Sequence, residues 1–225
     1  MPFEVPARIA DAVPDSVRLV RIRKAFAESA TSVRPLPSNT AMMLACAGVF
    51  VALAVVLALL PGLDGFAKLS AVQAAIEYSL VLLLVLVLAG SVVERMIPGS
   101  RRTVPPAVGV VLAILLLSVT ASVLFPDFAT PDFVRQGMPC LRLGVLCAIP
   151  AGGLTGVMMR RGFVVEPVAA ALAGGGLAGL LGVGVLALHC PIFNAAHIIA
   201  WHVGTIVVTS VFGALIGGGR ARIRG

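Results

Sequence analysis

The 225-residue chain reads as an all-α integral membrane bundle of six transmembrane helices with a short cytoplasmic N-terminal arm and both termini cytoplasmic. Three observations predict this. Apolar residues make up 59% of the chain, charged residues only 12%, and the mean hydropathy is +1.06, outside the range of soluble domains. Apolar runs of about 20 residues, the length that crosses a hydrocarbon core as a helix, occur six times. Lys and Arg are distributed asymmetrically between the intervening loops.

The runs fall near 41–60, 75–93, 105–125, 140–159, 167–189 and 196–217. Pro61, Pro98, Pro105, Pro106, Pro139, Pro167 and Pro191 punctuate their edges, where a helix tolerates a missing amide. Pro150 is the one proline expected inside a span, where it should kink the fourth helix beside Gly152 and Gly153. Of the cationic residues, 14 fall in the arm, the 2–3 loop, the 4–5 turn and the tail, against Lys68, Arg135 and Arg142 in the alternate loops. The positive-inside rule then puts the termini in the cytoplasm. A net charge of +7 is absorbed by this topology and by anionic lipid, without calling for a nucleic-acid partner. Residues 1–40 are largely polar and carry no signal-peptide pattern, so the first span is expected to act as its own insertion signal.

The domain plan is therefore an arm (1–40), a membrane domain (41–217) and a basic tail (218–225). The arm is too short to build its own core. Asp15 or Ser16 is placed to cap a helix in which Leu19, Ile22, Phe26 and Ala30 recur at helical spacing among Arg18, Arg21, Arg23 and Lys24. Such a helix lies on anionic lipid or docks in a partner's groove. Arg34-Pro35-Leu36-Pro37 stiffens the link to the first span.

Spans one to three are rich in Leu, Val and Ala, with Asp64, Glu77, Glu94 and Arg95 toward their ends. No mid-membrane polar cluster of the kind a transporter uses is visible there. Spans four and five carry rows of small residues at four-residue intervals, Gly144-Ala148-Gly152-Gly156 and Gly174-Ala178-Gly182, which predict a closely packed hairpin. Each four-residue step rotates about 40° around the axis, so the rows wind and do not by themselves decide what faces what.

Cys140 and Cys190 flank this hairpin symmetrically about residue 165, which brings both thiols to one height at the predicted outer surface. Expected to open the fourth helix, Cys140 would gain thiolate character from the helix dipole. His189, His197, Trp201 and His202 surround the same end, so His189, His197 and His202 are candidate ligands beside the thiols for zinc, cadmium or copper(I). Each is equally readable as an interfacial polar residue, and no CxxC or HxxxH spacing strengthens the metal reading. Cys147, seven residues beyond Cys140, is a reserve thiol or an apolar filler, and Cys46 reads as filler.

These features resemble the NrsF-type anti-sigma factors, six-helix bacterial inner-membrane proteins that restrain an extracytoplasmic-function sigma factor. The resemblance rests on the Val33-Arg34-Pro35-Leu36-Pro37 segment, the Pro98-Gly99 turn, Cys140 at the fourth helix, Arg160-Arg161-Gly162 after it, a glycine-rich fifth helix ending His189-Cys190-Pro191, and Trp201 in the sixth. The pairing of the fourth-helix cysteine with the His-Cys-Pro ending is its specific part. It implies no enzymatic activity and no resident cofactor beyond transient heavy-metal binding, with a sigma factor and membrane lipid as partners. It also implies that Cys140 and Cys190 sense oxidant or toxic metal. Leu19, Ile22, Phe26, Arg160 and Arg161 are the expected partner-binding residues. Cys46 and Cys147 depart from the family pattern, as does His202 after Trp201, and the arm lacks the His-x3-Cys-x2-Cys zinc signature of soluble anti-sigma factors. Two other readings use the same thiols: a quinone-coupled thiol-disulfide oxidoreductase, which normally carries a CxxC pair, and a small metal exporter.

Overall fold

A computed structural model describes residues 19–25, 38–97, 104–129, 131–161, 164 and 166–224; side chains beyond Gly219, and that of Arg161, lie outside the description. Asp15, Ser16, Phe26, Ala30 and residues 33–37 of the expected arm, with Pro98 and Gly99, are likewise outside it. The chain divides into two units, Met1–Pro37 and Ser38–Gly225. In the first, residues 19–25 are helical, and all seven are exposed.

Six helices of the second unit are long and apolar enough to cross a membrane. Helix α1 (Asn39–Leu59) is capped by the Ser38 hydroxyl, which accepts from the Ala41 amide. Helix α2 (Ala71–Glu94) starts with a capping box in which Ser70 and Gln73 satisfy each other's amides. Helices α3 (Pro106–Leu124) and α5 (Pro167–His189) start with proline at the first helical position, where its missing N–H costs nothing. Helix α4 spans Phe133–Arg161 and α6 spans Ala195–Gly219.

The helices alternate in direction. At one end the α1–α2, α3–α4 and α5–α6 connections meet: the Gly65 amide bonds the His189 carbonyl, and Asn194 Nδ2 donates to the Ala129 carbonyl at 2.9 Å. At the other end, Arg95 after α2 pairs with Glu166 before α5 at 2.7 Å, and the start of α5 meets Gly217 of α6. These are called below the Cys190 end and the Arg95 end.

Helix α5 is the axis. Of its most apolar stretch 78% is buried, against 22% for α1, and all five other spans touch it. Its small residues make this possible, since lipid supplies no hydrophobic drive and association depends on how closely backbones approach. Gly179 lies against the backbone of Ile206 in α6, where a β-carbon would stand 2.6 Å from the Ile206 Cα.

One sequence expectation is corrected. Helix α4 begins at Phe133 rather than 140, so Pro139 as well as Pro150 lies inside a span, and Cys140 sits two turns into the helix instead of opening it. The dipole argument for Cys140 therefore lapses, because that field fades beyond the first turn. The apolar window starts late because Arg135 and Gln136 interrupt it, while the added turns are held by packing of Phe133 on Trp201, with ring centroids 5.0 Å apart. The expected packing of α4 on α5 along the small-residue rows is seen: Gly182 meets the Gly144 backbone, a β-carbon on Gly152 would reach the Ala178 side chain at 4.0 Å, and Gly174 lies against Thr155 and Met159. The backbones come closest toward the Cys190 end; β-carbons on Gly153 and Gly156 would meet nothing within 4 Å, and Gly175 and Gly179 of α5 meet α6 instead.

Glu77, expected near a span end, lies in the second turn of α2, buried, with Oε2 unbonded among the described residues.

Candidate functional site

Helix α5 stops at Cys190 because Pro191 cannot continue it; the Cys190 backbone is extended, and its amide still bonds the Leu186 carbonyl at 2.7 Å. Gly65 covers this turn so closely that a β-carbon there would stand 2.7 Å from the Cys190 carbonyl oxygen. Four residues later Asn194 caps α6, its side-chain oxygen accepting from the His197 amide. The Ala195 amide bonds the Asp127 carbonyl, which anchors the start of α6 to the α3–α4 connection.

After one α-turn (Ala195–His197), Ile198–Val203 forms a π-helix before α-geometry resumes at Gly204. This widening has a direct chemical result. In an α-helix, residues five apart point about 140° away from each other. The i→i+5 repeat of a π-helix returns them to the same side, and such turns recur at functional sites. His197 and His202 accordingly meet edge to face, with ring centroids 5.3 Å apart.

Into this corner α4 brings Cys140. Its Sγ lies 3.5 Å from that of Cys190, across 50 residues of sequence, and Cys190 Sγ lies 3.5 Å from His197 Nε2. Ligand atoms of Cys140, Cys190, His197 and His202 all fall within 4.8 Å of one another. Cys190, His197 and His202 are buried and Cys140 is half-buried; both thiols are free. The Cys190 thiol is held below the ordinary thiol range, first by the hydrogen bond from Cys140 and then by His197 and His202, against the opposing effect of burial. The indole of Trp201 closes the cluster from the α4 side, resting where a side chain on Gly137 would stand.

Of the expected site residues, the fold thus gathers Cys140, Cys190, His197 and His202. His189 is directed elsewhere, its Nδ1 3.3 Å from the Gly62 carbonyl oxygen. Cys147 and Cys46 are buried in the main hydrophobic cluster. Leu19 and Ile22 are exposed on the 19–25 helix. Arg160 is exposed at the Arg95 end of α4, on the rim of a groove of about 700 Å³ between α4, α5 and α6. The joining of His197 with His202 was hidden in the sequence, because a His-x4-His spacing places its rings together only through the π-turn.

The model for the family described as "NrsF: Negative regulator of sigma F" matches residues 26–222, a stretch that contains all six spans and the whole cluster. The chain belongs to the NrsF family. No curated protein and no solved structure matches it. As an NrsF-family member it is a negative regulator of a sigma factor, and its six spans make it a multi-pass membrane protein. The thiol–imidazole cluster accordingly belongs to a member of a regulator family.

Proposed function

We propose that this NrsF-family chain is an anti-sigma factor of the bacterial inner membrane that holds an extracytoplasmic-function sigma factor inactive. It releases that factor when Cys140 and Cys190, facing outward, react with oxidant or toxic metal. The observation that carries this reading is the 3.5 Å separation of two thiols contributed by different helices at one end of the bundle. A reaction that links them pulls α4 and α5 together there.

The same two helices reach the other end. Cys140 and Arg160 lie on one helix about 30 Å apart at 1.5 Å per residue. Helix α5 runs from Glu166, the partner of Arg95, to Cys190. A shift at the thiols therefore reaches the end of α4 that carries Arg160 and Arg161, and in this reading these residues, with Leu19, Ile22 and Phe26 of the arm, would contact the sigma factor. The stimulus acts because it binds or modifies one packing of the bundle better than the other; without that difference no population moves.

The test is to purify the tagged full-length protein from unstressed host membranes and identify co-purifying soluble protein by mass spectrometry, with and without brief oxidant or cadmium exposure. A sigma factor present before exposure and lost after it is the expected result. Serine at Cys140 or Cys190 should abolish release while membrane insertion stays normal. Absence of any sigma factor overturns the regulator mechanism, and undiminished release in both serine variants overturns the role of the thiols.

A further inference from the structure

We infer that Cys140, Cys190, His197 and His202 form a single tetrahedral site for a divalent cation of the zinc and cadmium class, with both histidines as ligands. This deepens the proposed function by naming what the thiols take, and its test needs no sigma factor.

The donor set fits that class of ion. Two thiolates and two imidazoles are the ligands preferred by soft and borderline d10 cations. In a tetrahedral complex with metal–sulfur and metal–nitrogen distances of about 2.3 and 2.0 Å, ligand atoms stand about 3.3–3.8 Å apart. The four donors here lie within 4.8 Å of one another, so closing the widest separation by about 1–1.5 Å completes the shell. Side-chain rotation can supply such a movement.

Each buried ring also carries a nitrogen that no described group satisfies. His197 Nδ1 and His202 Nε2 are buried and have no hydrogen-bond partner among the described residues, on side chains only 0% and 3% exposed. A native structure normally avoids leaving a buried polar atom without a partner. A metal ion in the cluster takes one lone pair from each ring; His197 would ligate through Nε2, which already faces Cys190 Sγ, and carry its proton on Nδ1.

Charge favours the same assignment. Binding M²⁺ sends to solvent whatever protons the two sulfurs and the two ligating ring nitrogens carry, and the resulting site, a dication with two thiolates and two neutral imidazoles, has no net charge. A neutral complex avoids the large cost of placing an uncompensated ion in a buried position.

Simpler uses leave part of the cluster idle. A disulfide between Cys140 and Cys190 engages neither imidazole. Activation of Cys190 by the imidazoles, His197 Nε2 being 3.5 Å away, gives Cys140 no metal-free role beyond its hydrogen bond. Ligation uses one donor atom from each of the four groups, and the π-turn is the feature that brings the fourth to the other three.

The experiment uses the purified full-length chain in detergent, reduced and stripped with chelator, titrated with Co²⁺ and Cd²⁺. One equivalent per chain is expected, with the visible absorption of tetrahedral cobalt, thiolate-to-metal charge transfer, and protection of Cys140 and Cys190 from alkylation by Cd²⁺. His197→Ala and His202→Ala should each weaken binding by at least the 10–100-fold that loss of a supporting residue costs, or about that much more, and lose the tetrahedral spectrum. His189→Ala and Cys46→Ser should change neither. Wild-type affinity and spectrum in both histidine variants would overturn the assignment. So would unchanged alkylation of the unsubstituted protein in Cd²⁺, a measurement that needs no variant to fold. A protein that binds Cd²⁺ but retains its sigma factor keeps the site and refutes the sensor; one that binds none yet releases the sigma factor on oxidation does the reverse.

Discussion

The backbones of Gly182 and Gly144 touch: a β-carbon on Gly182 would stand 2.5 Å from the Gly144 carbonyl oxygen. Gly144 lies one turn beyond Cys140, and Gly182 about two turns before Cys190, so this contact sets the spacing of the helices that carry the two thiols.

Gly182→Ala should therefore force α4 and α5 apart, at a cost of about 1–3 kcal/mol, as for other overpacked positions. Gly156→Ala, at a site where an added carbon meets nothing within 4 Å, should be neutral or stabilising by up to about 1 kcal/mol through helix propensity. Thermal unfolding in detergent compares the two. Equal shifts would show that the approach of Gly182 to Gly144 does not set the two positions apart.

Arg95 is buried while Glu166 is 43% exposed, and their 2.7 Å ion pair joins α2 to α5 at the Arg95 end. Glu166→Gln removes the carboxylate charge facing a buried guanidinium. The expected destabilisation is about 1–3 kcal/mol, below that of a fully buried pair because solvent screens Glu166. A double-mutant cycle with Arg95→Met should show a coupling energy well above zero; additive losses would show that the pair contributes no specific link.

Trp201 is the single tryptophan of the chain and precedes His202, and its indole packs on Phe133 and Gly137 of α4, so its fluorescence reports on how the first turns of α4 sit against α6. Gly137→Ala should displace the indole, changing its emission, and should slow cross-linking of Cys140 to Cys190. Unchanged emission would mean that the first turns of α4 move freely past Trp201.

Both thiols of the pair need to close from 3.5 Å to about 2.05 Å to bond. With Cys46 and Cys147 replaced by serine, diamide should yield an intramolecular disulfide, the two thiols losing two electrons and two protons to the reagent. Mass spectrometry of the unreduced peptides detects it, and cobalt binding should disappear with it. In the unsubstituted protein Cys46 and Cys147, both packed in the core, should resist maleimide until detergent denaturation. Early labelling of either would show that the bundle opens under native conditions.

Much of the architecture was legible because membrane insertion is decided by local composition. Bounds read for α5, 167–189, coincide with the helix itself, since Pro167 and Pro191 bracket an unbroken apolar run. The start of α4 was misread because Arg135, Gln136 and Pro139 each argue locally against a spanning helix, while the contacts that stabilise those turns come from Phe133 and Trp201, 68 residues apart.

The candidate site divides along the same line. Symmetry about residue 165 put Cys140 and Cys190 at one height, a matter of counting residues along two antiparallel rods of fixed rise. Whether the thiols face each other depended on rotation about the helix axes, which the glycine contacts decide. His197 and His202 became partners only through the π-turn, a distortion of hydrogen bonding that no residue type announces. The sequence by itself determined the six spans, the punctuation between them and the end at which the thiols lie, because each depends on hydropathy or chain length. Tertiary structure alone decided the helix rotations, the close approach of Gly182 to Gly144 and the completion of a four-donor cluster, because these arise from packing between segments far apart in the chain.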